Sequence, residues 1–298
     1  MVEIRDDADN LVSTSIATVT ASISAGGGSA TGNTAVAVGG VASFTALSVT
    51  GAAGARTFTF STPGLPNVVS ATFTLSAGQA AALRVRTQPG GALSGQPFVT
   101  QPVVEVTDAG GNAMPSSDIV VTATIMFGGG TLASATATTV NAVATFSGLT
   151  FSGTVGKRTL TFSANGLTST TSASFSLGAG APARLLLATQ PLTGFLGYAL
   201  VPQPVVVVAD AAGNLTFGSG GTVTATIASG SGIIGNNTAT VFNGRATFQS
   251  MSIAGPTGAV TVLFSAPNLL SATSQPINLR PLFAAPTRRA RRAGSVRR

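Results

Sequence analysis

The sequence predicts an all-β chain of tandem Greek-key β-sandwich domains, about seven strands each, strung as an elongated rod. Three observations predict it. The turns Asp6-Asp7-Ala8-Asp9-Asn10, Asp108-Ala109-Gly110-Gly111-Asn112 and Asp210-Ala211-Ala212-Gly213-Asn214 lie 102 residues apart, and a fixed period of domain size means repeated domains. Apolar residues alternate with Thr and Ser between turn signals, the period of a half-buried strand. The 37 glycines and 15 prolines punctuate strings of Val, Thr, Ser, Ala and Phe, a strand-and-turn composition.

The middle copy shows the elements best. Strands are expected at 83–87, 103–107, 119–125, 135–140, 143–146, 159–162 and 173–177, separated by Gly, Pro, Asn and Ser. In the third of these, Ile119, Val121, Ala123 and Ile125 point one way and Val120, Thr122 and Thr124 the other. Val19, Ala21 and Ile23 repeat the pattern in the first copy, as do Val223, Ala225 and Ile227 in the third. Phe44, Phe146 and Phe248 fall in step, as do Phe60, Phe162 and Phe264. Such aligned rings would fill the space between sheets, each contributing about 1.5–3 kcal/mol on burial. Gly28, Gly130 and Gly232 recur at one loop position and are expected to supply a positive φ or a tight turn.

Copies two and three share an opening that copy one lacks: Thr87-Gln88-Pro89 with Gln101-Pro102, then Thr189-Gln190-Pro191 with Gln203-Pro204. Met1 falls at the position of Val103, so the first copy starts inside its second strand. The domains are therefore expected at 1–79 (truncated, lacking the first strand), 80–181 and 182–280, followed by an Arg-rich disordered tail at 281–298. A chain with this opening is expected to be a fragment of a longer protein. The unpaired edge left in the first copy makes it the expected least stable domain.

Composition narrows the chemistry. Charged residues are only 8% of the chain, which argues against charge-driven disorder and against long surface helices. No apolar run approaches the ~20 residues of a membrane-spanning helix. One Tyr and no Trp leave no aromatic girdle for an outer-membrane barrel. There is no cysteine and no histidine, which excludes disulfides, thiolate chemistry and imidazole as base or zinc ligand. The net charge of +7 is concentrated: Arg288, Arg289, Arg291, Arg292, Arg297 and Arg298 supply +6 of it. The body offers no broad basic patch, and no nucleic-acid partner is expected. Eight carboxylates are spread over three copies, five of them at the recurring turns. No general base is at hand to activate the abundant Ser and Thr, so no catalytic residue and no enzyme activity are expected.

The stretch Val-Thr-Asp-Ala-Gly-Gly-Asn at 106–112, with Val-Ala-Thr-Phe at 143–146 and Gly-Lys-Arg-Thr-Leu-Thr-Phe at 156–162, resembles the bacterial immunoglobulin-like repeats of the invasin and intimin type and their relatives in surface adhesins and phage virion proteins. The resemblance covers nearly all of residues 1–280 and rests on turn and core positions. It implies immunoglobulin-like sandwiches, an extracellular or cell-surface location, and a structural spacer or adhesion stalk whose neighbours are further repeats. It also leaves open a module that binds a host or surface glycan or protein.

Two candidate sites remain. Asp6, Asp7 and Asp9 crowd one turn and offer hard oxygen ligands for calcium. The other copies keep one Asp each, so the shared role is an Asx-type turn, and no other cofactor is expected. In the third copy, Phe195, Leu196, Tyr198, Phe217, Ile233 and Ile234 replace blander residues and form a candidate partner-binding surface, with packing under the loops as the competing reading.

Overall fold

A computed structural model of the chain describes residues 1–115, 118–218 and 220–282. Nearly all of the 281–298 tail lies outside the described residues, its arginines included. Among the described residues every regular element is a strand, and no helix is long and apolar enough to cross a membrane. The chain forms two compact units. One is made of Met1–Gly91, Phe98–Leu149 and Lys157–Phe175; the other of Ala92–Pro97, Thr150–Gly156 and the residues from Ser176 onward.

In the first unit, residues of the first copy form a sheet in the order Val2–Glu3, Val41–Ala42, Thr34–Val38, Thr18–Ala25, Gly54–Ser61, Val68–Val69. Neighbours here are not consecutive in sequence, the crossing that marks a Greek-key arrangement. The strand Thr34–Val38 serves two partners. Thr34, Ala35 and Val36 pair with Thr18–Ala25, whereas Ala37 and Val38 pair with Val41–Ala42. Such a switch turns the corner between the two layers of a sandwich. In the second copy Thr136–Val140 splits in the same way between Val120–Phe127 and Val143–Thr145.

The expected strands are present, with short additions at Gln96–Pro97, Thr131–Ala133, Thr150–Ser152 and Thr170–Thr171. Alternation decides burial. Val121 and Ala123 are buried while Val120 and Thr124 are exposed, and the same holds at Val19, Ala21, Val223 and Ala225. The period breaks once per copy, at a register shift between Ile23 and Ala25, Ile125 and Phe127, and Ile227 and Ser229. A bulge there turns the following residues outward, which leaves Met126 and Phe127 exposed.

The aligned phenylalanines do meet. Phe146 lies 5.4 Å from Phe162 and Phe248 lies 5.3 Å from Phe264, ring centre to ring centre, and all four are fully buried. Phe44 and Phe60 keep the spacing, at 5.5 Å, but are only partly buried. Copies two and three carry an opening segment before this point. In copies two and three that opening supplies Leu83 and Phe98, or Leu185 and Leu200, all buried. Its Gln101 also brackets the core: Nε2 donates to the carbonyls of Phe98 and Leu149, and Oε1 accepts from the Leu149 amide. Gln203 does the same with Leu200 and Met251.

Candidate functional site

The recurring Asp-x-x-x-Asn turn is built identically in copies two and three. Asp108 Oδ1 accepts the amides of Gly110 and Asn112, both at 2.8 Å, closing an Asx turn. Its Oδ2 accepts Asn112 Nδ2 at 2.8 Å and the Gly78 amide at 2.7 Å. Four donors on one carboxylate hold its pKa at about 2, below the ordinary 3.8, led by the Asn112 side chain and the Gly78 amide. Asp210 makes the equivalent bonds with Asn214 and Gly180. There burial pushes the carboxyl up, and the hydrogen bonds from Asn214, Gly180 and Ala212 outweigh it, so the net shift is downward.

The turn has a second side. Asn112 Nδ2 also donates to Gly51 O at 3.0 Å, and its Oδ1 accepts the Ala53 amide at 2.6 Å. Asn214 repeats this with Gly153 O at 2.9 Å and the Val155 amide at 2.8 Å. One asparagine thus closes its own turn and reads a three-residue stretch of backbone in the preceding copy. The aspartate adds a third tie by holding Gly78 or Gly180 in the linker. Together they form a polar clasp at each join, within the first unit for copies one and two and within the second for copies two and three. Arg56, buried beneath the first receiving loop, donates to the carbonyls of Ala52 and Ala55 and so props that loop. Beside the first clasp opens a cleft of about 460 Å³, lined by Gly51, Leu75, Gly78, Asp108 and Asn112 among others.

Asp6 keeps the turn alone. Its Oδ1 accepts the amides of Ala8 and Asn10, which lowers its pKa, Asn10 first. Asn10 Nδ2 reaches it only at 3.3 Å. Asp9 is turned away to Arg5 Nη1 at 3.4 Å. Among the described residues no group of three or more carboxylates converges on one point. The structure thus gives Asp6 a turn-closing role and does not gather Asp6, Asp7 and Asp9.

The apolar third-copy residues divide. Phe195, Tyr198, Phe217 and Ile233 are exposed, at 48%, 54%, 74% and 77%. Leu196 and Ile234 are partly buried against the core. Phe195 and Tyr198 share one turn, closed by the Tyr198 amide on Phe195 O. The adjoining Gly197 amide bonds Ile253 O, in the strand Ser252–Ala254 that pairs with Ile233–Gly235. Phe217 instead follows the Asp210–Asn214 turn, beyond the Ala209–Leu215 bridge. Of the recurring glycines, Gly28 and Gly130 take φ of 104° and 122°; Gly232 sits close against the strand Ser252–Ala254, at its residue Ala254.

The sequence identified the turn and missed the clasp. The asparagine reaches back 59 and 61 residues to main-chain atoms, which carry no side-chain signature. The available signal was the joint recurrence of Asn112 with Asn214, Gly51 with Gly153 and Gly78 with Gly180.

No protein-family model matches the chain, and no curated protein matches it. Among solved structures it is similar to FdeC, an Escherichia coli adhesin, with 20% identity and a TM-score of 0.36 over 92% of this chain and 89% of that one. It is similar to the D0-D1 domain of intimin at 13% identity and a TM-score of 0.26, over 67% of this chain and 98% of that one. A β-glycosidase from Bacteroides vulgatus is similar at 12% identity and a TM-score of 0.31, over 67% of this chain; the chain spans only 25% of that enzyme. At these scores the likenesses carry no argument about function, and the fold stands on the strands themselves.

Proposed function

We propose that this chain is a non-enzymatic structural spacer of a bacterial surface or adhesin-like protein, with immunoglobulin-like repeats held in register by clasped joins. The observation that carries the reading is the clasp itself. The hydrogen-bonded pairs Asp108 with Asn112 and Asp210 with Asn214 join one copy to the next. A spacer transmits position by limiting bending at its joins. Two side-chain bonds to the preceding loop and one to the linker resist that bending.

Limited proteolysis in the linkers 76–80 and 178–182 tests it. The wild-type linkers should resist cleavage, and the double variant N112A/N214A should be cut about tenfold faster at both, as expected when bonds of about 1 kcal/mol each are removed. Equal cleavage of the two proteins would count against the spacer reading.

The exposed Phe195, Tyr198 and Ile233 favour a second reading, a glycan- or protein-binding module. A glycan array and a pull-down from host surface extracts separate the two. Binding that disappears in F195S/Y198S supports the module; no captured ligand leaves the spacer.

A further inference from the structure

The third copy carries an outward face that the second lacks. Thr193–Phe195 pairs in parallel with Ile277–Arg280, with Thr193 opposite Asn278 and Phe195 opposite Arg280. Partners in register share a face of the sheet. Gly194, Ile277 and Leu279 are buried, and Thr193, Phe195, Asn278 and Arg280 are exposed on the other side. A hydroxyl, an amide, a guanidinium and an aromatic ring thus lie on one small platform. Beside it opens a pocket of about 120 Å³, lined by Thr193, Phe195, Ala199, Val201 and Arg280 among others. Tyr198, 54% exposed, stands on the turn that its amide closes on Phe195 O. The same positions in copy two hold Gly91, Leu93, Ser176, Gly178 and Gln96, with neither ring nor cation. There Leu93 is 45% exposed and Ser176 is exposed although another copy follows, so a chain that continues past the repeat leaves this face open.

Charge and strand pairing select the occupant. From residue 182 onward the sole carboxylate side chain is Asp210, and it is engaged by Asn214, Gly180 and its own turn. Among the described residues no carboxylate pairs with Arg280. A guanidinium with parallel donors is matched by a carboxylate. The rings offer flat apolar faces, and Thr193 and Asn278 offer donors and acceptors for hydroxyls. An extended peptide finds no open ladder here: Gly258–Ser265 pairs along the far side of Ile277–Arg280, and Val201 bridges to Thr193. The pocket is well below the ~300–1,000 Å³ that encloses a whole ligand, so it seats one unit of a longer chain.

We infer that copy three binds an acidic saccharide. The carboxylate of a uronic or sialic acid unit sits on Arg280, its ring rests on Phe195 and Tyr198, and its hydroxyls meet Thr193 and Asn278. The inference rests on the second reading above, the glycan-binding module, and names its ligand class.

Titration of the full chain with trigalacturonate, a hyaluronate tetrasaccharide and sialyllactose, each beside its methyl ester, tests this by amide chemical shifts. At least one acid should bind, with shifts centred on residues 193–199 and 278–280. Its ester should bind about tenfold more weakly, the loss of a charged hydrogen bond. Arg280→Gln should lower the acid to the level of the ester and leave the ester unchanged; F195S/Y198S should abolish both. The R280Q chain keeps the six tail arginines, so acid binding that survives in it belongs to the tail and overturns the inference. Equal affinity for acid and ester overturns it, and so does an acidic peptide that shifts the same amides as tightly. If none of the acids binds, the inference falls. Neutral glycans captured through Phe195 and Tyr198 on the array would then keep the module reading, and an empty array would end both.

Discussion

Replacing Asn214 by alanine isolates the clasp, because Asn10 provides an internal reference. Both side chains close the same turn, but only Asn214 reaches another copy. Asn214→Ala removes the bonds to Gly153 O and from the Val155 amide, at 2.9 and 2.8 Å, and a 2.8 Å bond to the Asp210 carboxylate. A neutral bond contributes about 1 kcal/mol net and one to a charged group about 1.5–3 kcal/mol. Val155 is exposed, so water repairs part of that loss. The expected cost is about 2–3 kcal/mol. Asn10→Ala loses contacts of only 3.3 Å on an exposed turn and should cost about 0.5 kcal/mol. Urea denaturation gives the totals, and amide exchange locates them. The Val155 amide should be protected in the wild type and exchange freely in the variant. Unchanged protection of Val155, or equal costs at Asn10 and Asn214, would refute the assignment of these bonds to the join.

Three further outcomes follow from the same geometry. The Asp108 carboxyl titrates at about 2 in the folded chain against an ordinary 3.8, so its contribution to stability is fully present above about pH 4 and is lost as pH falls through about 2; urea midpoints between pH 5 and 2 should fall less steeply in D108N than in the wild type, and parallel slopes would contradict it. Phe146→Ala should cost about 3–5 kcal/mol and Phe44→Ala no more than about half of that, because only Phe146 is fully buried; equal urea midpoints for the two variants would show that the open side of the first copy is closed in solution. Gly28→Ala should destabilise by more than about 2 kcal/mol, since φ is 104° and the new Cβ would lie 2.4 Å from Thr50 O, whereas Gly27→Ala, at φ 69° with open space around it, should cost about 1 kcal/mol; thermal melts distinguish them.

The all-β fold was legible because its determinants are local. Alternation at Ile119–Ile125 and the Asp-to-Asn turns each specify their own stretch of backbone, and repetition confirms each reading in three contexts. What sequence left hidden depends on contacts across the chain. The bulge after Ile125 reverses which residues face outward, so Phe127 is exposed despite its type. Arg56 is buried although arginine is rarely so, and its Nη1 and Nη2 donate to main-chain carbonyls of the loop above it while Nε has no partner. The three acids of the first turn suggested a shared cation. In the structure Asp9 takes a positive φ of 65° and faces Arg5, and Asp6 closes the turn.

The deviations from the repeat say more about function than the repeat does. Where two residues touch across a strand pair they change together: Arg84 with Glu105 becomes Leu186 with Val207. A pair that swaps charge for hydrophobicity as a unit is a pair whose partner matters, since a buried acid without its base is costly. Glu3 is the acid half of that pair without its base across the strand. Asn10 is likewise the asparagine of the clasp without a loop to read. Both unmatched halves belong to the copy that lacks its opening strand, and both are made of groups that the other copies satisfy with another segment.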